Sequence, residues 1–310
     1  MGERLLPAGW GSPVGPTFSS RRPLYDARER EITHPMPSKD AIRDHWNEEP
    51  CGSRGLDPAG EAFFEATERE RRRLEGGLIG PFADFAGARG KRVLEIGVGT
   101  GCDFVQWVRA GAEAHGVDLT PAGIDLTRRR LAREGRSADL QVADAEDLPF
   151  PDDHFDRVYS WGVLHHTPDP PRAFREVLRV LKPGGEARIM VYHRRSWVVM
   201  QLWVRWGLLG GDLGKSPRRI VRERLESPGT EAYRLDEIPA LLDGFTAVEA
   251  HPRLTAYDLR QTRPNAGKHG WWLPALAMAI YPRPLVRALG DRFGFFLLIR
   301  ARKPTCTDRP

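Results

Sequence analysis

The run Val93-Leu94-Glu95-Ile96-Gly97-Val98-Gly99-Thr100-Gly101 carries the strongest chemical signal in the chain. Glycines that follow a buried apolar stretch let the backbone approach a ligand closely, because no Cβ intervenes. A dinucleotide fingerprint spaced GxGxxG would need its third glycine at position 102, which is Cys102; here it comes one residue early, at Gly101, and the acidic Glu95 precedes the first. Two further acids follow similar apolar runs. Asp118, followed by Leu119, suits the hydroxyls of a ribose, and Asp144, followed by Ala145, suits an adenine amino group. Each acid alone reads as a surface residue at a strand end; three at the ends of successive strands read as one convergent site. His165 and His166 follow a fourth apolar run, and Tyr192-His193 end a fifth. Any of these imidazoles can act as a general base toward a bound acceptor. The competing reading for the histidine pair is loop packing and hydrogen bonding.

The elements that position these residues alternate. Strands are expected at 91–96, 113–119, 138–143, 155–160 and 186–193, with helices from Phe104, from Pro121 to about 134, and from Pro170-Pro171 to Leu181. Strand–helix alternation of this kind builds a parallel sheet covered by helices on both faces. Before it, Ser38 caps a helix over SKDAIRDHW, and EAFFEATERERRRLEGGL predicts a charged amphipathic helix ending at Gly76-Gly77. After it come an apolar helix at 196–209, a short helix at 234–242 interrupted by Pro239, and strands at 244–251 and 293–302. Four parts follow: a disordered tail at 1–36, a helical lid at 37–89, a ligand-binding core at 90–193, and a C-terminal part at 194–310 with an insertion at 252–290.

Composition narrows the classes. The net charge of +5 conceals an asymmetry: residues 194–310 hold 20 Lys/Arg against 11 Asp/Glu and five of the nine tryptophans. That part suits an anionic or amphipathic partner, or is a solvated basic face over core aromatics. The run Trp271–Tyr281 is too short to span a bilayer; it caps an apolar acceptor, lies at a membrane interface, or packs as core. Cys51, Cys102 and Cys306 have no metal-finger spacing, so no metal site is expected, and they fit a reducing cytoplasm.

The blocks VLEIGVGTG, GVDLT, ADAEDLPFPDDHFDRVYSWGVLHH and VLRVLKPGGEARIMVYHR together resemble the ubiquinone/menaquinone-biosynthesis type of class I methyltransferases, often called type 11. They cover about residues 90–193. The resemblance implies a Rossmann-like α/β fold with a seven-stranded, mostly parallel sheet whose last strand is antiparallel. It implies S-adenosyl-L-methionine (SAM) as methyl donor and a small-molecule or lipid-like acceptor. By the same resemblance Glu95, Gly97, Gly99 and Gly101 line the methionine side, Asp118 with Leu119 binds the ribose, Asp144 with Ala145 faces the adenine, and Trp161 lies near the sulfonium. The segment His45–Gly52 resembles the N-terminal lid of related sugar and natural-product enzymes. Three other readings stay open: a nicotinamide-dependent oxidoreductase, which the glycine spacing disfavours; an RNA methyltransferase, for which no RNA-binding module or Asn-Pro-Pro-Tyr motif is readable; and a non-catalytic SAM-binding partner protein.

Overall fold

A computed structural model describes residues 37–259, apart from 54, 61 and 228, together with 283–305 and 307. Its strands are β1 (Arg92–Ile96), β2 (Glu113–Asp118), β3 (Asp139–Val142), β4 (Phe155–Trp161), β5 (Leu181–Tyr192), β6 (Thr246–Arg253) and β7 (Phe296–Arg302). They form one sheet in the order β3-β2-β1-β4-β5-β7-β6. All neighbours pair in parallel except β7, which runs antiparallel to both β5 and β6.

Side chains alternate across a strand, and here consecutive residues feed two separate cores. Val93, Tyr159, Met190 and Leu298 join one cluster, while Leu94, Val158, Ile189 and Leu297 join the other. Because both faces are buried there, the central strands β1, β4 and β7 are buried along most of their length rather than on alternate residues. Helices α1 (Lys39–Glu48), α2 (Phe63–Ala83), α3 (Phe104–Ala110), α4 (Pro121–Ala132), α5 (Pro170–Val180), α6 (Trp197–Trp203), α7 (Pro217–Arg224), α8 (Ile238–Leu241) and α9 (Arg283–Ala288) complete the described chain. Their starts are written locally. Ser38, Thr120, Asp169 and Ser216 each accept a first-turn N–H at α1, α4, α5 and α7, and proline opens the last three. The chain steps outward from β1 through β2 to β3, then returns to the other side of β1 with β4. That reversal leaves a crevice beyond the carboxyl ends of β1 and β4, the usual ligand position of such a sheet.

Four expected boundaries differ. Helix α2 does not end at Gly76-Gly77 but runs on to Ala83, where Asp84 turns left-handed at φ 53. Its buried stripe continues through Ile79, Phe82 and Ala83, and that burial outweighs the cost of about 1 kcal/mol per helical glycine. Two buried arginines of the sheet then hold its end: Arg157 donates to the Ala83 carbonyl at 3.0 Å and Arg188 to that of Phe82 at 2.6 Å, cations placed where a helix dipole favours them. Strand β5 begins at Leu181, not 186. Leu181 pairs with Phe155 and Glu186 with Arg157, so residues 182–185 bulge, with the Gly184 N–H donating to the Lys303 carbonyl at 2.9 Å. Pro239 does not interrupt its helix; it lies in the first turn of α8, where no N–H is required. The apolar helix is α-helical only to Trp203 and continues as a π-turn over Val204–Leu208. The tail at 1–36 and the run Trp271–Tyr281 lie outside the described residues.

Candidate active site

The glycine turn after β1 is pinned on one side and bare on the other. Gly97 adopts φ +83, and a Cβ there would collide with the Val163 side chain. Gly99, at φ +50, has nothing within 4 Å of where its Cβ would stand, so it faces the open crevice. On the opposite side the Thr127 hydroxyl of α4 donates to the Gly99 carbonyl at 3.1 Å, and Arg130 donates to that of Thr100 at 2.7 Å. A Cβ on Gly101 would stand 2.9 Å from the Thr127 hydroxyl, so the third glycine sets how closely α4 packs.

Asp118 ends β2 beside this turn. Its Oδ2 accepts the Gly99 N–H at 2.8 Å, and its Oδ1 accepts the Thr120 N–H at 2.9 Å and the Thr120 hydroxyl at 2.7 Å. A carboxylate offers about four lone-pair sites, so roughly one remains, on Oδ2. Burial holds Asp118 above the ordinary aspartate range despite these donors. Leu119 follows, half-buried. Glu95 is buried and accepts the Trp107 indole N–H at 2.7 Å; burial first, and then the nearby Asp103, push it well above the carboxylate range. Asp144 accepts the Glu146 N–H at 2.9 Å and pairs with Lys39 of α1, which also meets Glu146 at 2.6 Å. Ala145, next to it, is buried. At the far end of α1, Asn47 accepts the Ala122 N–H at 3.2 Å, in the first turn of α4. Helix α1 therefore bridges the ends of β3 and α4.

Deeper in the crevice α2 contributes charge. Arg71 bridges Asp103 at 2.7 Å and Glu75 at 2.9 Å. Glu75 also accepts the Trp161 indole at 2.6 Å and the Tyr257 hydroxyl at 3.2 Å, while Asp103 accepts the Tyr159 hydroxyl at 3.1 Å. Burial keeps Glu75 above its ordinary range against the pull of Arg71 and these donors. Trp161 is thus fixed as a buried wall rather than a free ring.

The histidines divide. His166 is buried, with Nδ1 2.9 Å from the Ser227 hydroxyl and 3.1 Å from that of Thr230. Because the Thr230 hydroxyl donates to the Ser227 carbonyl at 2.7 Å, it accepts from His166. The Nε2 atom then points to Glu226, 3.5 Å away, and Trp46 of α1 closes over the ring edge-on at 5.3 Å. Glu226 takes the Tyr192 hydroxyl at 2.5 Å, and its side chain is 39% exposed, open to the crevice. Burial raises its pKa, but His166 and Tyr192 outweigh that and hold Glu226 below the usual glutamate value. His165 is wholly buried against the Tyr192 ring at 4.1 Å, and neither ring nitrogen has a hydrogen-bond partner among the described residues. His193 turns elsewhere: its Nδ1 donates to the Gly294 carbonyl at 3.1 Å, and it is buried.

Comparison with known proteins identifies the chemistry. A methyltransferase-domain family model of type 11 matches residues 94–189. The demethylmenaquinone methyltransferase of Clavibacter sepedonicus is 40% identical over 96 residues, 31% of this chain and 39% of that one. The malonyl-[acyl-carrier protein] O-methyltransferase of Halorhodospira halophila is 31% identical over 221 residues, 68% of this chain and 70% of that one. This chain belongs to the class I SAM-dependent methyltransferases. Its cofactor is S-adenosyl-L-methionine. The fold of the methyltransferase is that of geranyl diphosphate C-methyltransferase from Streptomyces coelicolor A3(2), solved with S-adenosylhomocysteine; that structure is 18% identical, with a TM-score of 0.53 over 86% of this chain and 97% of the other. The methyltransferase spans less than half the length of some curated relatives, 39% and 45% in two of them.

The methyltransferase gathers Gly99 and Asp118 into one hydrogen-bonded unit, and sets His165 and His166 side by side at 4.3 Å between ring centroids. It does not bring His193 to them. Sequence reading passed over Lys39, Arg71, Glu75, Asp103, Tyr257 and Glu226. Arg71 and Glu75 lay inside a run of charges that read as a solvated face. Glu226 carries no local signal except its setting in Glu-Ser-Pro-Gly-Thr, a turn sequence. In the structure it stands out by a left-handed backbone at φ 48, a strained state for a non-glycine residue.

Proposed function

We propose that the methyltransferase transfers the SAM methyl group to a small or lipid-like acceptor that must give up a proton, with His166 as the base and Glu226 as its partner. The cofactor, when bound, supplies an activated methyl group, so the protein needs to position, desolvate and deprotonate. In this reading Gly97, Gly99 and Gly101 with Glu95 form the cradle for the methionine side. The remaining Oδ2 site of Asp118, next to Leu119, takes a ribose hydroxyl. Asp144 and Ala145 flank the adenine, with Lys39 above them, and Trp161 walls the reacting end. The bare face at Gly99 supports this fit, since any side chain there would stand in the ligand's space.

The observation that carries the base assignment is the orientation of His166. Ser227 and Thr230 occupy Nδ1, which leaves Nε2, buried beneath Trp46, facing the Glu226 carboxylate 3.5 Å away. An Nε2 that takes the acceptor proton becomes a cation, and the Glu226 carboxylate stabilises it. Glu226 is held beside this nitrogen by the Tyr192 hydroxyl, and a glutamate is ionised at neutral pH, so the partner is in place when the imidazole takes the proton. Lipid-like acceptors are supported by the aromatic cluster beside His166, Trp46 and Tyr192 with Phe295 behind it, and by relatives named for quinone and acyl-carrier acceptors.

Labelled SAM incubated with fractionated extract identifies a fraction that accepts the methyl group. With that fraction, His166→Ala should lower turnover ~10²–10⁴-fold and Glu226→Gln less, while SAM affinity persists. Turnover within threefold of wild type in His166→Ala, across the pH range, would remove His166 as base.

A further inference from the structure

Seven large apolar side chains are exposed among the described residues, and four of them fall within Met200–Leu213: Met200 at 45%, Leu208 at 49%, Leu209 at 71% and Leu213 at 64%. Single exposed leucines need no explanation, but a cluster does. The π-turn places its most exposed member, Leu209. Helix α6 buries Val198, Val199 and Leu202 against Ile220 and Val221 of α7. In a regular helix Leu209, seven residues after Leu202, would stay on that buried face. The extra residue of the turn Val204–Leu208 rotates the following chain outward, so Leu208 and Leu209 meet solvent instead.

The surroundings of the cluster select its partner. Trp203 is tied to the next loop, its indole donating to the Lys215 carbonyl at 3.1 Å. Trp206 lies between two guanidinium groups, Arg205 at 5.0 Å and Arg224 at 4.3 Å from its ring. Residues 200–224 hold six Lys/Arg against Asp212 and Glu223. Arg218 and Arg222 meet Glu231, so the surface keeps a positive surplus even after that neutralisation. Leucines on the outside, tryptophans at the rim and arginines beside them form the pattern of a segment lying in a bilayer interface. No helix among the described residues is long and apolar enough to cross a membrane. The patch also adjoins the active site: α6 follows β5, which carries Tyr192, and α7 ends two residues before Glu226.

We propose that the π-turned end of α6 and the loop Leu209–Ser216 dock on an anionic lipid surface, which presents an amphipathic acceptor to the crevice beside His166. The docking rests on the patch alone; only the delivery of acceptor rests on the function proposed above. The test is co-sedimentation of the full chain with phosphatidylcholine vesicles, with and without about one third phosphatidylglycerol. Binding to the anionic vesicles is expected, weakening with added salt. The triple variant Leu208→Ser/Leu209→Ser/Leu213→Ser should bind at least ~10-fold more weakly, and Arg205→Gln should weaken binding to the anionic vesicles only. Melting temperature and SAM affinity, read in parallel, report whether each variant folds; should the triple variant fail, Leu209→Ser alone replaces it, since that side chain is mostly in solvent. Absence of wild-type binding, or equal binding by wild type and folded variants, overturns the proposal. So does a dimer in size-exclusion chromatography that the variant abolishes while vesicle binding is absent, because a second copy would then cover the patch. Vesicle binding needs no turnover, so its failure is separable from failure of the base assignment.

Discussion

Replacing Asp118 tests the cofactor site most directly, because its carboxylate serves the protein and the proposed ribose contact together. Three of its roughly four acceptor sites are filled by Gly99 and Thr120, at 2.7 to 2.9 Å. One site remains, so the arrangement accepts one further hydroxyl; binding both ribose hydroxyls requires one internal bond to yield. A hydrogen bond to a charged group contributes about 1.5–3 kcal/mol, and its loss weakens affinity roughly 10- to 150-fold. Asp118→Ala should therefore raise the SAM Kd by at least 10-fold in titration calorimetry, and by more if release of the Gly99 N–H also loosens the turn. Asp118→Asn retains one acceptor oxygen but loses the charge, and should fall between wild type and Ala. The pH dependence gives a second readout. Burial raises the pKa of Asp118, so SAM affinity should begin to fall at a pH above the ordinary aspartate value of about 3.9 as the pH is lowered. A Kd within threefold of wild type in Asp118→Ala would place the ribose elsewhere and remove the site map built on this carboxylate.

Three further outcomes follow from the geometry. Arg71→Ala leaves the mostly buried Asp103 and Glu75 without their cation and should cost about 3–5 kcal/mol, read as a lower melting temperature. Acidification should narrow that gap, because Glu75, whose pKa burial already raises, takes up a proton more readily in the folded state than in the unfolded one. Gly77→Ala should stabilise by about 0.5–1 kcal/mol, because the position is exposed and helical and a Cβ there meets nothing within 4 Å; a lower melting temperature would show that the helix does not continue through it. Burial holds His165 well below the usual histidine pKa, so the unfolded chain binds its proton first. Its contribution is complete above about pH 6.5 and declines as the pH drops below that value, so denaturation of His165→Phe should depend less on pH between 5 and 7 than that of wild type.

What was legible in the sequence and what was not separates by the range of the interactions. The parallel strands and the glycine turn are largely local statements: β1 and β4 are runs buried on both faces, and α4 and α5 each start with a capping residue and a proline. The same locality misleads at Gly76-Gly77. Helix termination depends there on whether the next apolar residues find a sheet to cover, and Ile79 and Phe82 do. The polar framework of the crevice is the least legible part, because its partners are far apart in the chain. Trp161 meets Glu75 across 86 residues, Tyr257 meets Glu75 across 182, and Lys39 meets Asp144 across 105. In sequence, Arg71 and Glu75 are two more charges on a helix rich in them. In the fold they sit on the stripe of α2 that faces the crevice, where Arg71 lies between Glu75 and Asp103 and offsets the cost of burying the two carboxylates. The polar framework of the crevice is thus built by long-range pairing on a scaffold specified locally. Glu226 is the extreme case: no periodicity marks it, and it meets His166 and Tyr192 from a left-handed backbone. Strain kept where a carboxylate meets an imidazole and a phenol, at the mouth of a cofactor crevice, is the physical argument for counting Glu226 with the reacting groups.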